Sequence, residues 1–221
     1  MATLYIVATP IGNLEDMTLR AIRVLKEVSV VFCEDTRTSA KLFSHYDIGT
    51  PRESFHAQSP LSKIDRIVSL LEDGKDVALV SDAGTPGVSD PGSLLVSEVR
   101  TRTDAVISPI PGASALTAAL SAAGVGLHEF VFLGFLPHKK GRATLFKEMA
   151  ESERAYVFYE SPHRIIKTLE SLKGVEGKTV TIFRELTKVF EERVSGTPVE
   201  VLAYFTEHGD KVRGEFVVIV A

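Results

Sequence analysis

The stretch VSDAGTPGVSDPG, residues 80–92, follows an apolar run at residues 76–80 and precedes a segment with helical periodicity. This order predicts a strand, a glycine-rich loop and a helix. The glycines carry no side chain and the prolines fix φ, so backbone N–H groups at the end of the strand can approach a ligand closely. In an open parallel sheet, ligands bind at that edge. A tight connection whose glycines only satisfy turn geometry is the alternative.

Two companion loops strengthen the ligand interpretation. ATPIGN, residues 8–13, follows a strand predicted at residues 4–7, and PIPGASA, residues 109–115, follows one predicted at residues 105–108. Because each of the three loops ends a strand, we expect them to form one pocket.

Composition and charge limit the classes of protein. A chain of 221 residues with 44% apolar residues is long enough for one large domain or two small ones. The net charge of −4 means that nucleic acid binding requires a local basic patch. The single cysteine, Cys33, excludes an internal disulfide and is typical of a reducing compartment. It lies in the apolar run at residues 30–33 with no basic residue directly beside it, which favours a buried thiol over a nucleophile.

The sequence also predicts no membrane segment and no metal. Residues 1–5 contain no basic segment, and no apolar run approaches the ~20 residues that a span requires. We therefore expect a cytoplasmic protein. The six histidines are scattered without a second ligand at chelating spacing, so we expect no metal site.

Strand-like runs alternate with segments of helical period along the whole chain. This alternation predicts an α/β fold of parallel layers with ligand loops along one edge. Residues 124–127, GVGL, are typical of a hinge. We therefore expect an N-terminal α/β domain at residues 1–124, which carries the glycine-rich loops, and a C-terminal α/β domain at residues 125–221.

Three polar stretches lie where predicted strands end. EDTR at residues 34–37 either lines a site or caps the next helix, with the cap favoured. Residues 135–142 are the most basic run and form either a phosphate contact or a solvated loop. ESPHR at residues 160–164 is either a helix start capped by Ser161 or a charged junction beside a cleft.

Several common cofactor and catalytic motifs are absent from the sequence. The first loop lacks G-x-G-x-x-G, and neither a G-x-x-x-x-G-K-[ST] loop nor a G-x-S-x-G elbow occurs. These absences disfavour dinucleotide binding, triphosphate binding and the α/β-hydrolases. A glycine-lined, neutral-to-acidic cleft suits a small zwitterion or cation better than a polyphosphate.

Motifs from residue 4 to residue 220 carry a resemblance to a known family. They are ATPIGNL at 8–14, EDTR at 34–37, SDAGTP at 81–86 with SDPG at 89–92, PGASA at 111–115, GFLP at 134–137 with KKG at 139–141, ESPHR at 160–164, and RELTK at 184–188 with FEE at 190–192. The motifs and the order in which they occur along the chain resemble those of the tetrapyrrole methylase superfamily of S-adenosylmethionine-dependent enzymes. Within it, the chain is similar to the branch that methylates the ribose 2′-hydroxyl of a cytidine in 16S rRNA of the small ribosomal subunit.

The sequence departs from the patterns of both branches. The first loop lacks the G-x-G-P-G-D pattern typical of tetrapyrrole enzymes. Where the ribosomal branch often continues Glu-His-Asn-Glu after Phe55-His56, this chain has residues 57–60, AQSP.

The resemblance implies a class III methyltransferase fold, two α/β domains with S-adenosylmethionine bent in the cleft between them, and a homodimer. It places these residues at the cofactor: Ser81, Asp82, Ala83, Gly84, Pro86, Ser114 and Ala115 from the first domain, and Glu160, Glu185 and Leu186 from the second.

Methyl transfer to a hydroxyl requires alignment, worth up to ~7–11 kcal/mol, and a base that takes the proton. Asp35 and Glu160 are the candidate bases, and the sequence leaves the choice open. The candidates for phosphate contacts that position the RNA are Arg37, Lys139, Lys140, Arg142, Arg164 and Lys188, and Asn13 is a further candidate for contact with the RNA.

Two other functions agree with the same residues. The first is methylation of a tetrapyrrole or another small acceptor. The second is a ribosome-assembly factor that binds S-adenosylmethionine without transferring its methyl group.

Overall fold

The computed structural model describes residues 1–56, 58–89, 92–125 and 129–221. The chain divides into two compact units, residues 1–114 and 115–221. The sequence placed the boundary after residue 124, ten residues later than the structure does. The difference arises because the helix that begins at Ala115 belongs to the second unit. Six residues lie outside the described part: Ala57, Asp90, Pro91, Gly126, Leu127 and His128. Asp90 and Pro91 belong to the glycine-rich stretch, and Gly126 and Leu127 belong to the expected hinge.

The first unit contains a parallel sheet with strand order β3-β2-β4-β1-β5. The strands are β1 Thr3–Val7, β2 Val30–Cys33, β3 Arg52–Ser54, β4 Val77–Val80 and β5 Val106–Ile110. This arrangement confirms the parallel α/β prediction for the first half of the chain.

Helices cover both faces of this sheet. They are α1 Leu19–Glu27, α2 Thr36–His45, α3 Leu61–Glu72 and α4 Ser93–Arg102. Leu4 and Leu79 point to the face covered by α3 and α4, whereas Val7 and Val80 point to the face covered by α1 and α2. Strands buried on both faces consist of continuous apolar residues, which is why β2 and β4 contain no polar side chain apart from the thiol of Cys33.

The second unit contains a mixed sheet with strand order β6-β7-β10-β8-β9. The strands are β6 Phe130–Phe135, β7 Ala155–Glu160, β8 Val180–Arg184, β9 Glu192–Gly196 and β10 Phe216–Val220. Strands β6 and β7 are parallel, but β10 is antiparallel to both β7 and β8, and β9 is antiparallel to β8. The expectation of parallel layers is wrong for this unit, since the connection at residues 185–191 is too short for a crossover between parallel strands.

The helices of the second unit are α5 Ala115–Ala122, α6 Arg142–Glu151, α7 Ile165–Leu172 and α8 Pro198–Glu207. Helix α5 packs on Val157, Val217 and Ile219, and the other three helices pack on the opposite face of the sheet. Short 3-10 helices lie at Leu14–Asp16 and Gly209–Lys211.

The ends of several helices follow from local chemistry. Thr18 caps α1 through its side chain, and Gly74, with φ +77°, follows the end of α3, both as the sequence predicts. The helix expected to start at Ser161 begins later, at Ile165. The Ser161 carbonyl accepts from the N–H groups of Arg164 and Ile165, so the intervening residues form a turn.

No helix in the described part of the chain combines the length and the apolar character that crossing a bilayer requires.

Thr197 and Glu200 form a reciprocal capping box at the start of α8. We expect Thr197→Ala to lower the free energy of unfolding by about 1 kcal/mol, because an N–H group at the helix start loses its acceptor. Urea denaturation measures this change. Thr206→Ala is the matched control, because Thr206 lies exposed within the same helix and its hydroxyl donates to the Leu202 carbonyl, four residues earlier in that helix. Equal losses in the two variants would contradict the role of the cap.

Candidate active site

The loops after β1 and β4 are joined at the carboxyl edge of the first sheet. The Thr9 N–H donates to the Gly84 carbonyl at 2.9 Å, and the Gly84 N–H donates to the Thr9 carbonyl at 3.0 Å. The hydroxyl of Thr9, which is buried, donates to the Ser81 carbonyl at 3.1 Å. These bonds make the two loops a single structural element.

The loop after β5 lies against the same element. The Thr85 hydroxyl donates to the Ala113 carbonyl at 3.3 Å, and the Ala8 N–H donates to the Ile110 carbonyl at 3.3 Å. A Cβ on Gly112 would lie only 2.9 Å from the Ala8 Cβ, so the close approach of these loops requires glycine. The structure therefore brings together the three loops that the sequence singled out, and we call them the loop edge.

Backbone donors are available at the loop edge. Within the described residues, the N–H groups of Ala83 and Ala113 donate to no protein acceptor. Gly84 has φ +78° and lies between Ile11 and Ala113, so a residue with a side chain would have a strained backbone at this position. Ser81 and Pro86 are buried and support the loop, whereas Asp82 and Ala83 are exposed.

The acidic residues that directly follow β2 lie beside Asp82 of the loop after β4. Asp82 Oδ1 accepts from the Asp35 N–H at 3.0 Å, and the Asp82 N–H lies 3.5 Å from Glu34 Oε2. The sequence placed Glu34 in the EDTR stretch that could line a site but assigned it no role of its own. The loop edge therefore combines free N–H donors with acidic acceptors.

Asp35 caps α2 and binds Arg37. Its side chain accepts from the Arg37 N–H at 2.8 Å and from Arg37 Nη2 at 2.7 Å. The cap interpretation is thus confirmed. Hydrogen bonds from the Arg37 guanidinium and the Arg37 N–H lower the pKa of Asp35 to about 2. The Arg37 side chain is 90% exposed, so this ion pair lies in solvent.

The second sheet has its own carboxyl edge. Strands β6, β7 and β8 run in the same direction, and Glu160 and Arg184 both pair with Phe216. The connections that carry the basic run, the ESPHR motif and the RELTK motif therefore leave the sheet on one side.

Glu160, a candidate base, has a fully buried side chain. Oε1 accepts from the Ser161 N–H at 2.9 Å and forms an ion pair with Arg164, whose Nε lies 3.2 Å away. Oε2 accepts from the Thr168 hydroxyl at 2.7 Å and lies 4.0 Å from Arg142 Nη1. Both carboxylate oxygens are thus engaged inside the protein, and the two arginines expected at RNA phosphates point inward to Glu160.

Lys139 and Lys140 differ from these arginines. Both are exposed, and no acidic side chain in the described part of the chain pairs with them. Asn13 is half-buried, and its side chain accepts from the Glu15 N–H at 3.1 Å.

The RELTK segment is held in an unusual backbone conformation. Glu185 and Thr187 have φ of +54° and +66°, which is strained for a β-branched residue such as Thr187. Lys188 Nζ binds Glu185 Oε1 and Glu215 Oε2, each at 2.8 Å. Burial lowers the pKa of Lys188, but these hydrogen bonds outweigh it and raise the pKa overall.

The remaining predicted cofactor residues are Leu186, Ser114 and Ala115. Leu186 packs with α5 against the second sheet, Ser114 is half-buried, and Ala115 begins α5.

A family model described as Tetrapyrrole (Corrin/Porphyrin) Methylases matches residues 3–202. The chain belongs to this family. Two relatives named ribosomal RNA small subunit methyltransferase I match along nearly the whole chain. The one from Synechocystis sp. is 45% identical and covers 100% of this chain and 79% of its own length. The one from Hydrogenobaculum sp. is 42% identical and covers 99% and 95%, respectively.

Solved structures of tetrapyrrole methylases share the fold. Uroporphyrin-III C-methyltransferase from Thermus thermophilus, solved in complex with S-adenosyl homocysteine, superposes with a TM-score of 0.66 at 20% identity. The match covers 100% of this chain and 97% of that chain. This likeness confirms the tetrapyrrole methylase fold, which the sequence motifs predicted.

Among the described residues of this family member, no group of three or more His, Cys, Asp or Glu side chains is arranged to hold a metal ion.

The Arg37 pair gives a titration test. We expect Arg37→Gln to raise the pKa of Asp35 from about 2 toward its ordinary value of about 3.9, because the carboxylate loses its cationic partner. The stabilisation from this pair is present above about pH 4 and is lost as the pH falls through about 2. NMR titration of the Asp35 carboxyl carbon measures the shift. Arg23→Gln, which removes an exposed pair with Glu27, is the control. An unchanged Asp35 midpoint in Arg37→Gln would refute the assignment.

Proposed function

We propose that this chain is an S-adenosylmethionine-dependent methyltransferase that modifies the ribose 2′-hydroxyl of a cytidine in 16S rRNA of the small ribosomal subunit. The observation that carries the proposal is the loop edge with its donors and carboxylates, in a chain 45% identical to a relative named as a small-subunit rRNA methyltransferase. The 2′-hydroxyl and the cytidine come from the motif resemblance and are the finer part of the proposal.

The residues of the loop edge fit the proposed cofactor. The N–H groups of Ala83 and Ala113 can donate to an amino acid carboxylate. The carboxylates of Asp82 and Glu34 can accept from ribose hydroxyls and offset positive charge. When bound, S-adenosylmethionine supplies an electrophilic methyl group. Contacts from Ser114 and Ala115, and from Glu185 and Leu186 of the second unit, stay predictions. Glu160, which the resemblance also places at the cofactor, is not part of the proposed cofactor site, because both of its carboxylate oxygens are engaged inside the protein.

Asp35 is the base that the geometry favours. Glu160 is enclosed and its oxygens are engaged, whereas Asp35 lies at the loop edge and its N–H bonds to Asp82. With a pKa of about 2, Asp35 is a weak base while Arg37 binds it. An RNA phosphate that draws the exposed Arg37 away would raise the pKa of Asp35. In this proposal, substrate binding therefore activates the base.

Lys139 and Lys140 are the proposed phosphate contacts in the second unit. They are exposed and unpaired in the described structure, so the local charge is positive although the net charge of the chain is −4. Contacts of Asn13, Arg37 and Lys188 with RNA, and the homodimer, stay predictions.

Radiolabelled S-adenosylmethionine offered to 30S subunits, naked 16S rRNA and a precursor porphyrin tests the proposal. We expect label in the 30S subunit, recovered after nuclease digestion as 2′-O-methylcytidine. Label on the porphyrin would contradict the proposal and favour the small-acceptor methylase, and cofactor binding without transfer would favour the assembly factor. Label on a base of the rRNA would contradict the 2′-hydroxyl as the acceptor.

Asp82 provides a test of the cofactor site. We expect Asp82→Ala to weaken S-adenosylmethionine binding by roughly 10- to 100-fold, because a charge-assisted hydrogen bond contributes about 1.5–3 kcal/mol. Calorimetric titration measures the affinity. The control is Asp65→Ala, which removes an exposed carboxylate of α3 that pairs with Arg102. Wild-type affinity in Asp82→Ala would remove this carboxylate from the site.

A further inference from the structure

Four side chains form a buried polar cluster at the carboxyl end of β7. They are Arg142, Glu160, Arg164 and Thr168, and we call them the Glu160 cluster. The Glu160 side chain is 0% exposed, that of Arg142 is 11% exposed and that of Arg164 is 20% exposed. Arg142 Nη2 donates to the Thr168 hydroxyl at 2.6 Å, and this hydroxyl bonds to Glu160 Oε2 at 2.7 Å. The cluster therefore links the starts of α6 and α7 to the end of β7.

The same arginines also hold the backbone of the basic loop. Arg164 Nη2 donates to the Leu136 carbonyl at 2.6 Å, and Arg142 Nη1 donates to the Pro137 carbonyl at 3.3 Å. The Leu136 side chain is buried in the core of the second unit. The Lys139 carbonyl accepts from the Arg142 N–H at 3.3 Å. The backbone that carries Lys139 and Lys140 is therefore held by hydrogen bonds to the carbonyls of residues 136, 137 and 139.

Burial and geometry explain why arginine occupies both positions. A buried carboxylate is stable only when charged or hydrogen-bonding partners surround it. Each guanidinium contacts Glu160 and also donates to a carbonyl of the basic loop. The several N–H donors of a guanidinium can reach both partners, whereas the single ammonium group of a lysine cannot. Fixing the loop in advance removes an ordering cost that RNA binding would otherwise carry.

We propose that the Glu160 cluster consists of positioning residues that hold Lys139 and Lys140 in place for RNA phosphates. This inference rests on the proposed function, because it takes ribosomal RNA as the substrate. It also changes the expected role of Arg142 and Arg164, which act through the loop and do not touch RNA themselves. Glu160 then anchors the arginines and takes no proton from the substrate.

A charge-conserving variant of Arg164 separates direct RNA contact from a role in positioning the loop. Arg164→Lys keeps the positive charge but loses the forked contact with Leu136 and Glu160. We expect the KM for 30S subunits to rise about tenfold, since the lysine contacts with phosphate weaken. We expect kcat at saturating substrate and the affinity for S-adenosylmethionine to stay at their wild-type values. Hydrogen exchange of residues 136–141 should become faster.

A double-mutant cycle gives the decisive comparison. In a Lys139→Gln/Lys140→Gln background, we expect Arg164→Lys to cause no further loss of affinity for 30S subunits, because both changes act through the same contacts. Additive losses would show that Arg164 contacts RNA directly and would overturn the inference. Lys147→Gln, an exposed lysine of α6, is the control for general charge.

Two further variants cover the remaining outcomes. For Glu160→Gln we expect a raised KM with kcat retained, and a fall in kcat at saturating 30S subunits would make Glu160 the base. If Glu160→Gln fails to fold, Thr168→Val removes only the bridging hydroxyl and should raise the KM in the same way.

A wild-type protein that does not methylate 30S subunits would refute the proposed function. Active wild type with additive losses would refute the positioning role alone.

Discussion

The pair of backbone hydrogen bonds between Thr9 and Gly84 fixes the site on which the account depends. Parallel strands end at one edge of a sheet, and the first residues after each strand have lost their partners in the ladder. In the first unit, two of these loops bond to each other, and Gly112 lets a third approach Ala8 closely. The donors left over, together with Asp82 and Glu34, are what a small zwitterionic ligand requires.

The second unit places its charges differently. At the end of β7 the carboxylate of Glu160 points inward, and its partners come from the first turns of α6 and α7. Such a cluster is costly to bury and stable only when complete, so it fixes the surrounding backbone in one arrangement. At the edge of the first sheet, Asp82 and Ala83 are thus exposed, whereas at the edge of the second sheet the charged side chains bind each other and the backbone of the basic loop.

Local signals in the sequence predicted much of this structure. Glycines located the loop edge, Thr18 and Gly74 marked helix ends, and Asp35 capped α2, because each effect depends on a few neighbouring residues. Strand direction in the second unit depends on tertiary pairing, so the antiparallel β10 was missed. The burial of Glu160 depends on Arg142, which is distant in sequence, and Thr168 has no distinguishing pattern. The motif ESPHR predicted either a helix start or a charged junction beside a cleft, but not the direction in which its charges point.

The position of the bound cofactor tests the central claim most directly. A crystal structure of the protein with S-adenosyl homocysteine should show the ligand at the loop edge, with its carboxylate at the N–H groups of Ala83 or Ala113 and Asp82 within hydrogen-bond distance. A ligand bound elsewhere, or an empty loop edge at saturating concentration, would contradict the account.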